Sequence, residues 1–221
     1  MGQIFKNINE TSQSMDKFIQ SKETTLKVGF AEDQLFYPLM NHLSNTKIKM
    51  QEIIHSEIIA KIKNHQLDAG VTFLPVEDRE LTSQFIFDDE VVAVVATKSK
   101  LAQLTQISMN QVAQTPISTM SSKFHFRKLL DQFFQDKLIL PNYQYELSSV
   151  GSCINIIQND ANSVALVPKS VLTSKQCTNV KMLPIVDQML SIQMGLVYLK
   201  ETQSTPPLTN LANQLISQFN Q

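Results

Sequence analysis

The stretch LKVGFAEDQLFYPLM, residues 26–40, contains the strand-to-helix junction on which the fold assignment rests. Its first part, Leu26 to Phe30, is a short apolar run of the kind that forms a buried strand, and it ends at the small and acidic residues 31–33. Apolar positions resume around Pro38, which suits the first turn of a helix because the proline N–H is not needed there. The stretch therefore predicts a strand, a polar junction and then a helix over residues 35–43.

The same unit recurs along the chain. Apolar runs predict further strands at residues 48–54, 69–73, 85–97, 116–120, 143–147, 163–167 and 192–199. Helical spacing of apolar residues predicts further helices at residues 57–65, 123–135, 150–157 and 208–219. This alternation is typical of α/β layers with a largely parallel sheet, and it divides the chain into two similar halves.

Composition narrows the function classes. The 221 residues are 43% hydrophobic, and 19 basic residues against 20 acidic ones argue against a molecule covered by a nucleic-acid-binding surface, which would collect Lys and Arg. Cys153 and Cys177 form no CxxC pair and predict no disulfide framework, which favours a reduced, cytoplasmic setting. No apolar stretch approaches the ~20 residues of a transmembrane helix, and the N-terminus lacks the features of a secretory signal, so we expect no membrane partner.

Serine residues mark several of the predicted strand-to-helix junctions. We expect helix caps at Ser56, at Ser121 or Ser122, and at Ser148 or Ser149. For any single serine, capping alone is the simpler interpretation. However, parallel α/β sheets bind ligands at the carboxyl ends of their strands, where helix N-termini offer free N–H groups. Junctions of this type in both halves favour a ligand cleft between the halves over separate structural caps.

Catalytic and metal-binding patterns are absent from the sequence. The four histidines, at positions 42, 55, 65 and 125, are scattered and have no metal-ligand spacing with one another or with the cysteines. Cys153 falls on the apolar face of a predicted helix, and no nucleophile elbow, P-loop or dinucleotide-binding glycine motif occurs. We therefore expect no catalytic residue, no metal and no cofactor.

Several segments, taken in order, resemble the effector-binding domain of LysR-type transcriptional regulators. The matching segments are LKVGF, LFYPLMNHL, HQLDAGV, FIFDDEVVAVVATKSKLA, and VALVP at residues 164–168. The resemblance covers roughly residues 26–221. It implies two Rossmann-like subdomains joined by two crossover strands, near Thr97 and Ile192, in an α/β fold like that of type II periplasmic binding proteins.

The resemblance also implies a domain division. Residues 1–25 are expected to be a remnant of the family's linker helix, residues 26–97 with 192–221 the first regulatory subdomain, and residues 98–191 the second. The family's N-terminal winged helix-turn-helix does not occur in these residues, so any DNA contact is expected only through that absent domain. One departure is a turn where the family carries glycine and this chain has residues 159–162; because Asn can adopt the left-handed conformation, we expect the turn to be retained.

The function implied is that of an effector-sensing regulatory domain that binds a small polar metabolite, a carboxylate or amino acid, and forms a homodimer or tetramer. A solute-binding protein of a transporter has the same architecture and is the alternative; a secretory signal and a lipoprotein cysteine would favour it, and neither is visible. The effector contacts are expected among Glu32, Asp33, His55, Ser56, Thr72, Phe73, Thr119, Ser121, Ser122, Ser149 and Val150.

Charged residues near these positions leave the sign of the ligand open. Lys123 and Arg127 are candidate partners for an acidic effector, although a solvated helix face explains them equally well. Glu32 and Asp33 would repel an anion unless they point outward or the effector carries an amine.

Overall fold

The computed structural model describes residues 25–31, 47–172, 178–186, 190–203 and 205–219. Its strands are β1 Leu26–Ala31, β2 Ile48–Ile53, β3 Ala69–Phe73, β4 Leu81–Ala96, β5 Ile117–Met120, β6 Tyr143–Leu147, β7 Val164–Pro168, β8 Val180–Leu183 and β9 Ser191–Leu199. Its helices are α1 His55–Lys63, α2 Met109–Gln114, α3 His125–Asp136, α4 Val150–Asn159 and α5 Pro206–Phe219. The predicted helix at 35–43 and the expected linker helix lie outside the described residues, apart from residue 25.

The strands form a nine-stranded sheet in the order β2-β1-β3-β9-β4-β7-β5-β6, with β8 also paired to β4. Strand β4 lies in the middle of this sheet and joins its two parts. Its residues Leu81–Glu90 pair with β9, whereas Val91–Val95 pair with β7. We call β1–β3, α1, β9 and the start of β4 the first half. We call the end of β4, β5–β8, α3 and α4 the second half. The sheet thus passes from one half to the other between Glu90 and Val91.

The sheet is mixed, so the prediction of a largely parallel sheet was wrong. Strands β1, β2 and β3 are mutually parallel, as are β5, β6 and β7. Every pair that involves β4 or β9 is antiparallel. The long strands β4 and β9, which carry the chain between the halves, run antiparallel to the strands of the strand-helix units. The sheet is therefore mixed.

Burial explains which segments became central strands. All residues of β3 and β7 are buried, as is the second part of β4 from Val91 to Ala96. A strand covered on both faces has no polar face, and its sequence is therefore a nearly continuous apolar run. Strand β2, at the edge of the sheet, instead exposes or half-exposes every residue. Two short elements, α2 and β8, were not predicted, and β4 begins four residues before the predicted position 85.

Two of the three predicted helix caps are wrong, because the helices begin at other residues than expected. Helix α1 begins at His55 with Ile54 as its N-cap, so Ser56 lies inside the first turn, exposed to solvent, and caps nothing. Helix α3 begins after Phe124, while Ser121 lies in the preceding turn, where its carbonyl accepts a bond from the Phe124 N–H at 3.0 Å. Only the third prediction holds: Ser149 caps α4, and its hydroxyl accepts the Ser152 N–H at 3.1 Å.

Two turns that follow helices are formed without glycine. Helix α1 ends at Lys63, and His65, two residues later, has a φ of 55°. The Gln66 N–H then donates to the Lys61 carbonyl at 2.8 Å, which closes the helix in a Schellman arrangement. The turn after α4 is present, but no residue in 159–162 adopts the left-handed conformation that we expected of Asn. Instead the Asp160 carboxylate accepts bonds from the Asn162 N–H and the Ser163 hydroxyl.

The helices pack on the sheet through large apolar side chains. The core contains the side chains of Ile58 and Ile62 on α1 and of Phe126 and Phe134 on α3, all essentially inaccessible to solvent. Helix α1 approaches β3 at Gly70, which leaves no room for a side chain. No helix among the described residues is long and apolar enough to span a bilayer.

Replacing Gly70 with Ala should destabilise the fold. The added Cβ would lie 2.2 Å from Ile58 Cγ2, and this β-branched side chain cannot rotate away because its Cβ is also close, at 3.5 Å. We expect the free energy of unfolding in urea to fall by about 1–3 kcal/mol. The matched control is Gly151→Ala, whose Cβ would meet only Ser149 Oγ at 3.9 Å and should be neutral or stabilising. Equal stability of the Gly70→Ala variant and the parent would contradict the close packing of α1 on β3.

Candidate functional site

A hydrogen-bonded pair marks the carboxyl end of β3 in the first half. Thr72 is the penultimate residue of this strand, and its hydroxyl is completely buried in an otherwise apolar segment. The Oγ1 atom lies 2.7 Å from Nδ1 of His55, the first residue of α1. Buried hydroxyls require a partner, and the imidazole supplies it. The structure thus brings together three of the predicted site residues, since Phe73 follows Thr72 and its ring lies 6.1 Å from that of His55.

A residue that we did not assign to the site, His125, completes this group from the other half. It is the first residue of α3, and its ring stacks on His55 with 4.2 Å between centroids and 29° between planes. Its centroid is also 4.9 Å from that of Phe73. We call His55, Phe73 and His125 the three-ring cluster. This cluster joins the start of a first-half helix to the start of a second-half helix.

The sequence did contain a signal for His125. Both clustered histidines begin a helix that follows a parallel strand, because α1 comes after β2 and α3 comes after β5. The carboxyl ends of such strands are where side chains of the two halves converge. Spacing along the chain was the wrong criterion, because residues 55 and 125 are brought together by the path of the chain through the crossover strand.

Both clustered histidines are neutral at pH 7. The pKa of His55 is lowered to about 4, chiefly by burial, and the positive charges of His125 and Lys128 contribute in the same direction. Burial also lowers the pKa of His125, as does the nearby Lys128 ammonium. A proton on either ring would therefore lose hydration and meet other cationic groups.

The predicted residues of the second half meet at the carboxyl ends of β5 and β6. Thr119 pairs in register with Glu146, and the Ser121 N–H donates to the Leu147 carbonyl at 2.8 Å. Ser122 is exposed in the turn before α3, while Ser149 and the buried Val150 form the start of α4.

Two hydroxyl groups of β5 have no protein partner. Ser118 Oγ and Thr119 Oγ1 are both buried, and no residue in the described part of the chain bonds to either. A buried hydroxyl without a partner is costly and uncommon. Ser118 was not among the predicted site residues, because its buried neighbours made it look like part of an ordinary strand.

Arg127 has a structural role that neither of our interpretations anticipated. It is buried, its Nε donates to Asp131 at 2.8 Å, and its Nη1 donates to Glu146 at 2.8 Å. Its guanidinium also stacks 3.6 Å from the centroid of the Tyr143 ring. These bonds connect α3 to the strands beneath it and occupy the guanidinium, so Arg127 is not available to bind an anion. Lys123 is exposed, with Nζ 4.8 Å from the Phe124 ring centroid.

Other candidate sites are weaker. Glu32 and Asp33 lie outside the described residues. Within the described residues, no group of three or more His, Cys, Asp or Glu side chains could hold a metal ion. An open pocket of about 470 Å³ contains Lys27 and Lys49, but these residues lie at the starts of β1 and β2 and not at the carboxyl ends where α/β sheets bind ligands.

Comparison with known proteins gives a consistent result. The family model described as the LysR substrate binding domain matches residues 20–220. The HTH-type transcriptional regulator CzcR of Bacillus subtilis is 25% identical over 172 residues, which are 75% of this chain and 54% of that protein. The chain therefore spans about half the length of this curated relative.

Solved structures share the fold at low identity. The effector binding domain of QuiR in complex with shikimate has a TM-score of 0.73 and 18% identity, covering 89% of this chain and 97% of that one. The BenM effector binding domain with its effector benzoate has a TM-score of 0.75 and 17% identity, covering 87% of this chain and 90% of that one. At such identities the likeness concerns the fold alone.

Acidification should destabilise the folded chain through the three-ring cluster. In the unfolded chain His55 takes up a proton near its ordinary pKa of 6.5, whereas in the folded chain it does so only at about 4. The unfolded state therefore binds more protons within this range, and stability that is complete above pH 6.5 is lost as the pH falls toward 4. Because the ring is partly exposed, we expect His55 to account for about 1 kcal/mol between pH 7 and pH 5. Urea unfolding at the two pH values measures this.

Single-residue variants test whether the three-ring cluster causes this loss of stability at low pH. His55→Asn should reduce the difference between the two pH values, whereas His65→Asn should leave it unchanged, because His65 is exposed and Asn tolerates its left-handed backbone. The same pH difference in the parent and in His55→Asn would rule out this source of acid sensitivity.

Proposed function

The chain belongs to the LysR substrate-binding domain family, and we propose that it is the effector-sensing regulatory domain of a bacterial LysR-type transcription factor. Its small polar effector binds between the two halves, and binding controls DNA recognition and transcription by the full-length protein. The observation that carries this proposal is the three-ring cluster, in which the first residues of α1 and α3 meet across the two halves. Members of this family are regulators and not enzymes, and we assign no catalytic residue.

The cluster offers a route from binding to regulation. A molecule held at the starts of α1 and α3 contacts both halves. It changes the balance between two arrangements of the halves only to the extent that it binds one arrangement more tightly. Helix starts that meet across a crossover strand are suited to this, because a small rotation of one half changes every contact between them.

The division into subdomains proposed here is the one expected from the sequence, with residues 26–97 and 192–221 in one and residues 98–191 in the other. The exchange of strand partners between Glu90 and Val91 supports a division at β4, and it lies a few residues before the proposed boundary at residue 97. The alternative, a solute-binding protein of a transporter, has the same architecture, and the match to the regulator family favours a regulator.

The proposed effector is a carboxylate or an amino acid. Two relatives with the same fold were solved with shikimate and with benzoate, both of which are carboxylates. The buried hydroxyls of Ser118 and Thr119 have no hydrogen-bond partner among the described residues, and the exposed Ser122 and the capping Ser149 lie at the same strand ends. The proposed contacts are Glu32, Asp33, His55, Ser56, Thr72, Phe73, Ser118, Thr119, Ser121, Ser122, His125, Ser149 and Val150.

A thermal-shift screen of amino acids, organic acids and sugar phosphates should find a ligand, because a molecule that binds only the folded state raises its stability with concentration. We expect Ser122→Ala and Ser149→Ala to weaken the binding of that ligand. Ser149→Ala should also lose roughly 0.5–2 kcal/mol of stability, since it removes a helix cap. Ser122→Ala, at an exposed residue that caps nothing, should leave stability nearly unchanged.

The matched control is Ser108→Ala. Ser108 caps α2, where its hydroxyl accepts the Gln111 N–H at 3.2 Å, and it is not among the proposed contacts. This variant should lose stability to the same degree as Ser149→Ala and bind the ligand like the parent. The cleft is wrongly placed if folded variants of Ser56, Ser122 and Ser149 all bind as tightly as the parent.

We also propose that the chain is a homodimer whose interface includes α3; the partner segment that the family resemblance implies, residues 35–43, lies outside the described residues. Phe134 is buried in its own half, but Phe133 is only partly buried, and Leu138 and Leu140 directly after α3 are 95% and 90% exposed. A contiguous exposed apolar patch is typical of a surface that packs on another molecule, and Phe133, Leu138 and Leu140 supply apolar groups for such a patch.

Sedimentation at micromolar concentration should show a dimer. Leu140→Lys should shift the equilibrium toward the monomer without loss of stability, because this side chain makes few contacts within its own chain. Phe85→Lys, at another exposed apolar residue on β4, is the control and should remain dimeric. A parent chain that sediments as a monomer throughout this concentration range would count against the dimer.

A further inference from the structure

Side chains also hold strand β4 to the second half, at residues that lie before its exchange of partners between Glu90 and Val91. The last backbone pair between β4 and β7 joins Val91 to Pro168. Proline has no N–H to continue the pairing, and the chain turns directly after it into a short 3₁₀ helix, Lys169–Val171. The backbone pairing with β7 therefore stops at Pro168, although β4 extends further in the first half.

Two side-chain contacts continue the register of this pairing beyond Pro168. In an antiparallel pair the next partner of Lys169 would be Glu90, and the partner of Ser170 would be Asp89. Lys169 Nζ lies 3.0 Å from a carboxylate oxygen of Glu90. The Asp89 carboxylate accepts the Ser170 N–H at 3.1 Å and the Ser170 hydroxyl at 2.5 Å. Residues that pair with β9 on one edge of β4 thus hold the second half on the other edge.

The two contacts differ in burial. The side chains of Lys169 and Glu90 are 51% and 52% exposed, and an ion pair so exposed contributes little to stability. Asp89 is buried, and burial raises the pKa of its carboxyl group, so the surroundings disfavour the charge to which Ser170 donates. Retaining a buried carboxylate is costly. A costly group at the point where a strand changes partners is typical of a position kept for function.

A hydrogen-bonded carboxylate is suited to a contact that opens and closes. Apolar side chains in the same place would lose the stabilisation of their whole buried area when they separate. Asp89 and Ser170 instead exchange their mutual bonds for bonds to water, so only the small net value of those bonds is lost. Closing restores one geometry, because the carboxylate accepts from both the N–H and the hydroxyl of a single residue.

From this geometry we infer that Asp89 and Ser170 form a releasable latch, which holds the two halves in the arrangement described and opens when they rotate about the exchange point in β4. The inference rests on the proposed function and names the contact that balances its two arrangements. With the latch open, β4 is held to the second half by its backbone pairs from Val91 onward. A ligand between the halves shifts this balance by binding one arrangement more tightly. The competing interpretation is that the two bonds only terminate β7.

Distances between spin labels test the latch without a ligand. Asn64→Cys after α1 and Asn155→Cys on α4 place a label at an exposed residue of each half. Cys153→Ala and Cys177→Ala remove the native thiols. The labelled chain is diluted into excess unlabelled chain, so that pulsed electron paramagnetic resonance measures distances within one chain only.

We expect Asp89→Asn and Ser170→Ala each to shift or broaden the distance distribution by a few ångströms, because each weakens the contact across the exchange point. The two substitutions lie in different halves, so one that fails to fold leaves the other to decide. Ser170→Thr restores a hydroxyl and should return the distribution of the parent. Lys169→Gln, which removes only the half-exposed ion pair, is the control and should leave the distribution unchanged.

The outcomes separate this inference from the proposed function. If Asp89→Asn and Ser170→Ala lose stability in urea but keep the distances of the parent, the bonds are structural, the latch is overturned, and the effector cleft is untouched. An equal shift in Lys169→Gln and Ser170→Ala also overturns the latch, because any contact between the halves would then act alike. A shift confined to Asp89 and Ser170 variants, in a chain for which the thermal-shift screen finds no ligand, supports the latch and counts against effector sensing.

Discussion

Strand β4 imposes the constraint on which the rest of the structure depends, because it must pair with one set of strands over its first part and another set over its second. Its residues up to Glu90 pair with β9, and those from Val91 pair with β7 and β8. Asp89 lies at the exchange point, where its buried carboxylate accepts bonds from the Ser170 N–H at 3.1 Å and the Ser170 hydroxyl at 2.5 Å. Burial raises the pKa of this carboxyl group, and the two bonds to Ser170 offset part of that effect. A polar group is thus retained at the one place where the crossover strand changes partners.

The position of the candidate site follows from this strand. Parallel strands on either side of β4 and β9 are followed by helices, and the carboxyl ends of these strands face the region where the halves meet. One residue, Ile54, separates β2 from helix α1 and is its N-cap, and an imidazole occupies the first helical position. Helix α3 begins with an imidazole in the same way. Two helix starts that are distant along the chain are therefore stacked through their first side chains.

The stacked rings of His55 and His125 pack like core side chains and also contain nitrogens that can be protonated. The rings of His55, Phe73 and His125 contact one another as aromatic side chains do in a core, at centroid distances between 4.2 and 6.1 Å. Two of the three rings can also take a proton, and burial and Lys128 disfavour the charged form. Arg127, two residues along α3 from His125, is held by Asp131 and Glu146 and adds rigidity without adding a free positive charge.

The sequence by itself determined most strands and helices of the described residues to within a few positions, with α2 and β8 as exceptions, because a covered strand requires an apolar run and a helix requires apolar residues at its own period. It also placed Thr72, Phe73 and His55 at strand ends, and it identified Ser149 as a cap. Only the tertiary structure decided that His125 lies against His55, that Arg127 is buried, and that the sheet is mixed. Periodicity records which side of an element is covered, but it does not record by what. That depends on the path of the chain through β4, which brings residues 55 and 125 into contact and turns the Arg127 side chain toward Asp131 and Glu146.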